Sequence, residues 1–437
     1  MRLITRRFPA AALAVAVVGG ALAACAQDPP NAADDAAEDD GGPVELRFAW
    51  WGADLRNELT QEAIESFEAE HPDITVNPEF SDWSAYWDRL ATTGAANDLP
   101  DVIQMDEKYL RTYADQGSLL DLYSLEGLST DDIDPTVLGS GEVDGELFGL
   151  VTSVNTYSVI ANADLLAEAG LEPPEDESWT WDDLAEMSQQ VSDEVDGAVG
   201  TQYLGDGDSQ LQIWAKQHGE TLWTDDGELG ASRETLASFW QYLLDLTESG
   251  AANPASTAQE QINAGQEASG TATNQAAFGT WWSNQYRALT SSSGQELVLL
   301  RPPLPTGSGD RGTYNKPSMF WSVSAGTAHP EEAAMFVDFL TNSTEAGEIL
   351  LAERGVPSNL TVREEITGEL TVEDQEVVSF LDEVSGEVGD PPPLTPAGAS
   401  DIEPLVQRLT FEVLFGRASP EEAADQFVAE AESMIAG

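Results

Sequence analysis

Between Gly145 and Leu166 the chain reads GELFGLVTSVNTYSVIANADLL, and this stretch constrains the fold more than any other. Gly145 and Gly149 punctuate a short β-type run, Glu146 to Val151, as a strand leaving a turn would be. Ser153-Val154-Asn155-Thr156 is short and polar. A second β-rich run, Tyr157 to Ile160, follows it, and Asn162-Ala163-Asp164 then opens a helical pattern that Gly170 closes. A strand that stops, crosses a few small polar residues and starts again predicts passage from one α/β unit to another. Hinges are built from a few such loop or element-terminal residues.

The chain before this stretch alternates strand and helix patterns. Val44 to Trp50 reads as a strand, and a helix after Asp54 carries Leu55, Leu59, Ala63, Ile64 and Phe67 on one stripe. Ile74-Thr75-Val76 is a second strand, and Trp83, Tyr86, Trp87 and Leu90 fall at i, i+3, i+4 and i+7 of a second helix. Val102 to Met105 is a third strand, followed by a helix after Asp106-Glu107. This β-α-β-α-β order predicts a parallel or mixed sheet covered by helices. Beyond the crossover, Thr180 with Asp183 makes a capping box for a helix from Trp181 to Val191, and further helical runs cover Ser209 to His218 and Ser232 to Ser249. Ala276 to Trp282, Leu297 to Leu300 and Phe320 to Ser324 read as strands. Ser419-Pro420-Glu421-Glu422 starts the last helix with an N-cap, a proline at N1 and a capping acid.

The first residues predict export. Arg2, Arg6 and Arg7 precede a short run of small apolar residues, Ala10 to Ala24, too short to span a bilayer and placed like a secretory signal. Cys25 is the only cysteine, so no internal disulfide forms, and its place after Leu22-Ala23-Ala24 resembles a bacterial lipobox, in which the thiol is lipidated. The competing reading is an ordinary cleaved signal with a chance cysteine. Residues 1–24 are therefore expected to be a lipoprotein signal peptide. Residues 25–43, rich in Ala, Asp, Pro and Gly, are expected to be a disordered acidic tether, with too little apolar surface to fold.

Charge restricts the partners. The chain has 18 Lys and Arg against 79 Asp and Glu, a net charge of −61. The leader holds three Arg and no acid and the tether six acids and no base, so the body retains −58. Only Lys108, Lys216 and Lys316 are lysines. Such a field repels nucleic acid and anionic lipid. A solvated surface adapted to high salt accounts for the acidity without any function.

In open α/β sheets ligands sit beyond the carboxyl ends of strands, where the topology switches. That rule selects Trp50-Trp51-Gly52, Asp106-Glu107, Asn155 and Trp281-Trp282. Aromatic faces with carboxylates and amides are the mixture a sugar needs, because hydroxyls both donate and accept. Adjacent strand residues face opposite ways, so Trp51 and Trp281 are assigned to a cleft and their neighbours Trp50 and Trp282 away from it. Trp83 starts a helix close to the ligand edge and is retained as a candidate, although its stripe with Tyr86 and Trp87 reads mainly as core. Asp206 and Asp208, in Gly205-Asp206-Gly207-Asp208, are candidates for the second lobe's rim, Asp206 being the one retained, against a simple turn or a Ca²⁺ loop lacking the terminal Glu of an EF-hand.

The run GLVTSVNTYSVIANADLL, the "FEAEHPDITV" and "PDV" segments, "GSLLDL", "FGTWW" and "ERGVPSN" together resemble extracellular solute-binding proteins of bacterial ABC importers, family 1, the maltodextrin- and sugar-binding group. Ala161 and Val151 stand where that pattern carries Tyr and Pro. The resemblance implies an α/β, two-lobed periplasmic-binding-protein fold of type II, each lobe a mixed sheet flanked by helices, joined by hinge crossovers. Lobe boundaries are expected at 44–154 with 303–344 and at 155–302 with 345–437, with crossings near Asn155, Pro302–Pro305 and Thr344–Ala346. It implies a substrate-binding component that captures a sugar or oligosaccharide between the lobes and passes it to membrane permease subunits. The resemblance puts ligand contacts on Trp51, Asp106, Asn155 and Trp281; Glu107 stands beside them. The protein is expected to act as a monomer, tethered through Cys25 to the outer face of the cell membrane.

No H-E-x-x-H, P-loop, G-x-S-x-G or zinc-ligand spacing occurs, and His71, His218 and His329 are isolated. No catalysis, cofactor or metal is expected. Chance carboxylate pairs leave a secreted glycoside hydrolase or lyase as the alternative, together with a binding protein for a peptide or compatible solute.

Overall fold

β1 (Val44–Trp51) buries Leu46, Phe48 and Trp50 completely and lies parallel to β2 (Ile74–Ser81) and β3 (Val102–Met105). Parallel neighbours need long crossovers, and the helices Asp54–Glu70 and Trp83–Ala95 supply them, the first burying Ala63, Ile64 and Phe67. The computed structural model describes residues 42–204, 207–306 and 309–436. The expected leader, the lipidation site Cys25, all but the last two residues of the expected tether, and Asp206 lie outside the described residues.

β4 (Glu142–Val143) and β5 (Glu146–Leu147) form a hairpin closed by Asp144 and Gly145, both at positive φ (54° and 86°). Two consecutive positive φ values match the right-handed twist of the flanking strands, and an Asp-Gly pair tolerates them. β6 (Leu150–Asn162) follows as one unbroken strand of 13 residues. The expected interruption at residues 153–156 is absent, and most of the polar side chains there are hydrogen-bonded, Asn155 Oδ1 being the exception. Ser153 Oγ donates to the carbonyl of Arg354 at 2.6 Å and lies 2.8 Å from Ser318 Oγ, and Thr156 N donates to Ser283 Oγ at 3.2 Å. Satisfied polar groups can stay in a buried strand.

The remaining strands are β7 (Val199–Thr201), β8 (Ala276–Trp282), β9 (Leu297–Leu300), β10 (Asn315–Val323) and β11 (Val356–Pro357). Strand order is β2-β1-β3-β10-β6-β8-β7, with β9 and β11 also on β6. β6 joins two sheets: from Leu150 to Thr156 it pairs antiparallel with β10, and from Tyr157 to Ala161 with β8.

Two separate apolar cores flank this strand. The first centres on Phe48, Trp50, Phe67, Phe320, Trp321 and Phe336, the second on Leu184, Phe239, Trp240, Phe278, Leu409 and Phe427. Aromatic pairs tie each together, Phe48 with Trp321 at 5.4 Å and Trp240 with Phe427 at 5.9 Å between centroids. Both expected capping boxes form, Thr180 with Asp183 and Ser419 with Glu422, the latter with Pro420 at the first helical turn.

The other crossings fall later in the chain than expected. Residues 302–305 stay with the second core: Leu304 N donates to Trp179 O, and Gln217 Nε2 to Pro303 O. The chain passes over only as it enters β10 at Asn315. Helix Thr344–Leu350 does not cross either. Ala346 packs in the first core, as do Val362, Ile366, Val377 and Leu381, although residues 345–437 were expected in the second lobe. The apolar faces of these helices hold them there, and the chain leaves only after the helix Val372–Val384, through the loop containing Pro391–Pro393. Among the described residues no helix is long and apolar enough to cross a membrane.

Candidate ligand-binding cleft

β3 ends at Met105, and the Asp106 carboxylate accepts the Lys108 amide at 3.0 Å, capping the helix Glu107–Asp115. This cap holds Asp106, Glu107 and Lys108 at the carboxyl edge of the first lobe's sheet. The second lobe presents Asp208 and Ser209 from the start of the helix Asp208–Gln217, and Trp281 and Trp282 from the end of β8. These groups, with Tyr157 on β6, Lys316 on β10, Gln285 and Glu403, line a cavity of about 280 Å³.

Both of its lysines are paired with carboxylates across short distances. Lys316 Nζ lies 2.7 Å from Glu107 and 5.7 Å from the centroid of the Trp282 ring. Lys108 forms an ion pair with Glu403. Burial pulls both lysines down, but facing carboxylates overcome it, so each is held above the ordinary lysine value; Asp208 and Glu403 act on Lys108, Glu107 and Asp106 on Lys316. Burial raises Glu107 against the pull of Lys316, and it raises Asp208 against the pull of Lys108. Asp208 accepts its own backbone N–H, and among the described residues its carboxylate enters no ion pair.

The aromatic wall is Trp282, Tyr157 and Trp281. Trp282 meets Tyr157 edge to face at 5.1 Å and Tyr314 at 6.0 Å. Trp281 is almost buried and donates Nε1–H to Thr271 Oγ1 at 3.1 Å. Trp281 and Gln285 also border a second cavity of about 200 Å³, which Gln202, Tyr203, Gln261 and Gln266 line without a charged side chain. Together the two compartments offer flat apolar faces, amides and carboxylates, the groups that grip a polyhydroxylated molecule. A larger cavity of about 320 Å³ lies beside Asp134, Val154, Arg363 and Asp382, and no aromatic ring lines it.

The sequence-selected residues divide between this cleft and other places. Asp106, Glu107 and Trp281 come together at the cavity. Trp51 does not reach it: the side chain is 9% exposed and packs edge to face against Trp83 and Tyr86 at 5.0 and 5.3 Å. Trp83 is 41% exposed and does not line the cavity. Asn155 is buried in the crossing strand, where its Nδ2 donates to Ser318 Oγ at 3.2 Å. Trp282, assigned away from the cleft by strand alternation, lines it together with Thr280 and Trp281 at the carboxyl end of β8. Lys108, Lys316 and Glu403 were missed. The signal lay in the lysine count: of three lysines in this acidic chain, two stand in the cleft.

The model for bacterial extracellular solute-binding proteins matches residues 52–346. A lactose-binding protein of Rhizobium radiobacter is 22% identical over 323 residues, covering 71% of this chain and 74% of that protein. An arabinooligosaccharide-binding protein of Bacillus subtilis (strain 168) is 26% identical over 211 residues, 47% of this chain and 48% of that protein. Among solved structures, an extracellular solute-binding protein of family 1 from Alicyclobacillus acidocaldarius superposes with a TM-score of 0.74 at 29% identity, over 91% of this chain and 100% of that one. A periplasmic oligogalacturonide-binding protein from Yersinia enterocolitica gives 0.76 at 25% identity, over 90% and 99%. The architecture is the two-lobed periplasmic-binding-protein fold, mixed sheets flanked by helices and joined by crossing strands. This chain belongs to the family of bacterial extracellular solute-binding proteins.

Proposed function

We propose that the protein captures a saccharide in the cleft between its lobes and delivers it to the permease subunits of an ABC importer. The observation that carries this reading is the 280 Å³ cavity in which Trp281, Trp282 and Tyr157 stand opposite Asp106, Glu107 and Lys108. Relatives that bind lactose and arabinooligosaccharides support it. The ligand contacts assigned are Asp106, Glu107, Asp208, Trp281, Trp282 and Gln285. The lobes are taken as residues 44–156 with 315–386, and 157–314 with 395–437, a division that follows most of the two apolar cores, although Ile160, Trp281, Tyr286 and Leu289 pack with the first. A sugar that touches both lobes favours the closed state by the contacts it makes only there.

The protein binds without turnover, as a monomer. Lipidation of Cys25 anchors it to the outer face of the membrane, each buried CH₂ of the acyl chains contributing roughly 0.8 kcal/mol. A thermal-shift screen of neutral and acidic mono- and oligosaccharides, peptides and compatible solutes tests the reading. At least one saccharide raises the melting temperature and is recovered uncleaved. A shift confined to peptides or compatible solutes, or release of new reducing ends, contradicts it.

A further inference from the structure

The cleft carries more negative than positive charge, and its positive charges are already engaged. In the larger compartment four carboxylates, Asp106, Glu107, Asp208 and Glu403, face two ammonium groups, Lys108 and Lys316. Lys316 is held by Glu107 at 2.7 Å and Lys108 by Glu403. No arginine lines either compartment among the described residues. The second compartment is walled by glutamine amides and offers an acid group no counter-charge. An acidic sugar entering here would meet Asp208 without a free cation to receive its carboxylate, and like charges brought together in a confined site are strongly unfavourable.

Resting on the saccharide reading above, we propose that this cleft selects a non-acidic saccharide and rejects uronates, with Asp208 as the group that enforces the rejection. The hydroxyls of a neutral sugar donate to Asp208 and Asp106, which a uronate carboxylate cannot do. This separates the chain from the similarly folded Yersinia protein described as binding oligogalacturonides. The excess of acid over base in the cleft repeats the imbalance of the whole chain, so the long-range field acts in the same direction as the local one.

Calorimetric titration of the purified protein at low ionic strength tests this, with lactose, arabinotriose, digalacturonate and trigalacturonate as probes. A neutral probe is expected to bind at least about ten-fold more tightly than either galacturonate. Asp208→Asn narrows that ratio, because an amide no longer repels the acid. Added salt narrows it in the unaltered protein too, a readout that does not depend on any variant folding. A galacturonate that binds as tightly as the best neutral probe overturns the proposal, as does a ratio that neither salt nor Asp208→Asn changes. Should no saccharide of the thermal-shift screen bind, neutral or acidic, the saccharide reading itself falls and takes this one with it; a galacturonate preference leaves that reading standing and removes only this one.

Discussion

Lys108 and Glu403 form an ion pair between two helices whose apolar faces fill different cores, Leu110 and Tyr113 in the first and Ile402, Leu405 and Val406 in the second. The pair thus spans the cleft. Glu403→Gln is expected to shift the unliganded protein toward an open state, seen as a larger radius of gyration in small-angle scattering. Saccharide affinity then falls by about 3–10-fold, because binding must supply the closure that the pair contributed. An unchanged radius and affinity would reduce this pair to a surface contact.

Trp282 and Trp281 separate binding from stability. Trp282 is partly exposed and faces the cavity, so Trp282→Ala is expected to weaken saccharide binding by at least about ten-fold, with little change in melting temperature. Trp281 is nearly buried and hydrogen-bonded to Thr271, so Trp281→Ala should lose binding together with about 3–5 kcal/mol of stability. Titration calorimetry and denaturant unfolding of both variants check the pair of outcomes.

How much of this was legible before the structure differs between backbone and cleft. Strand and helix order, both capping boxes and the crossover at β6 follow from periodicity and turn chemistry, because those signals are local. Trp51 and Asn155 do not line the cavity, although both stand where a strand meets the ligand edge. Only tertiary packing shows that the first is covered by Trp83 and Tyr86 and the second enclosed beside Ser318. Glu403 comes from a helix nearly 300 residues after Lys108, and no sequence pattern links them.

Asp208 gives a pH test with a definite sign. Burial raises its folded pKa, so its contribution to stability is fullest below the unfolded value, about 3.9, and is lost as pH rises through the folded value. At neutral pH the charged carboxylate is therefore a net cost, and Asp208→Asn should stabilise the unliganded protein. The gain, read as a higher melting temperature, should vanish below about pH 4. A variant less stable than the parent at neutral pH would show that Asp208 is adequately compensated.

The acid excess predicts salt dependence of the whole body. With 73 acids against 15 bases in the body, self-repulsion is screened as ionic strength rises, so the melting temperature should climb between low salt and molar NaCl. Melting curves that stay flat or fall would mean that the surface charges are spaced too widely to repel.

The most direct measurement is a crystal structure with a saccharide found by thermal shift. The sugar is expected between the lobes, a ring against Trp282 and hydroxyls on Asp106 and Asp208. Density for the sugar in the cavity beside Arg363 and Asp382, with the cleft between Lys108 and Trp282 left empty, would contradict it.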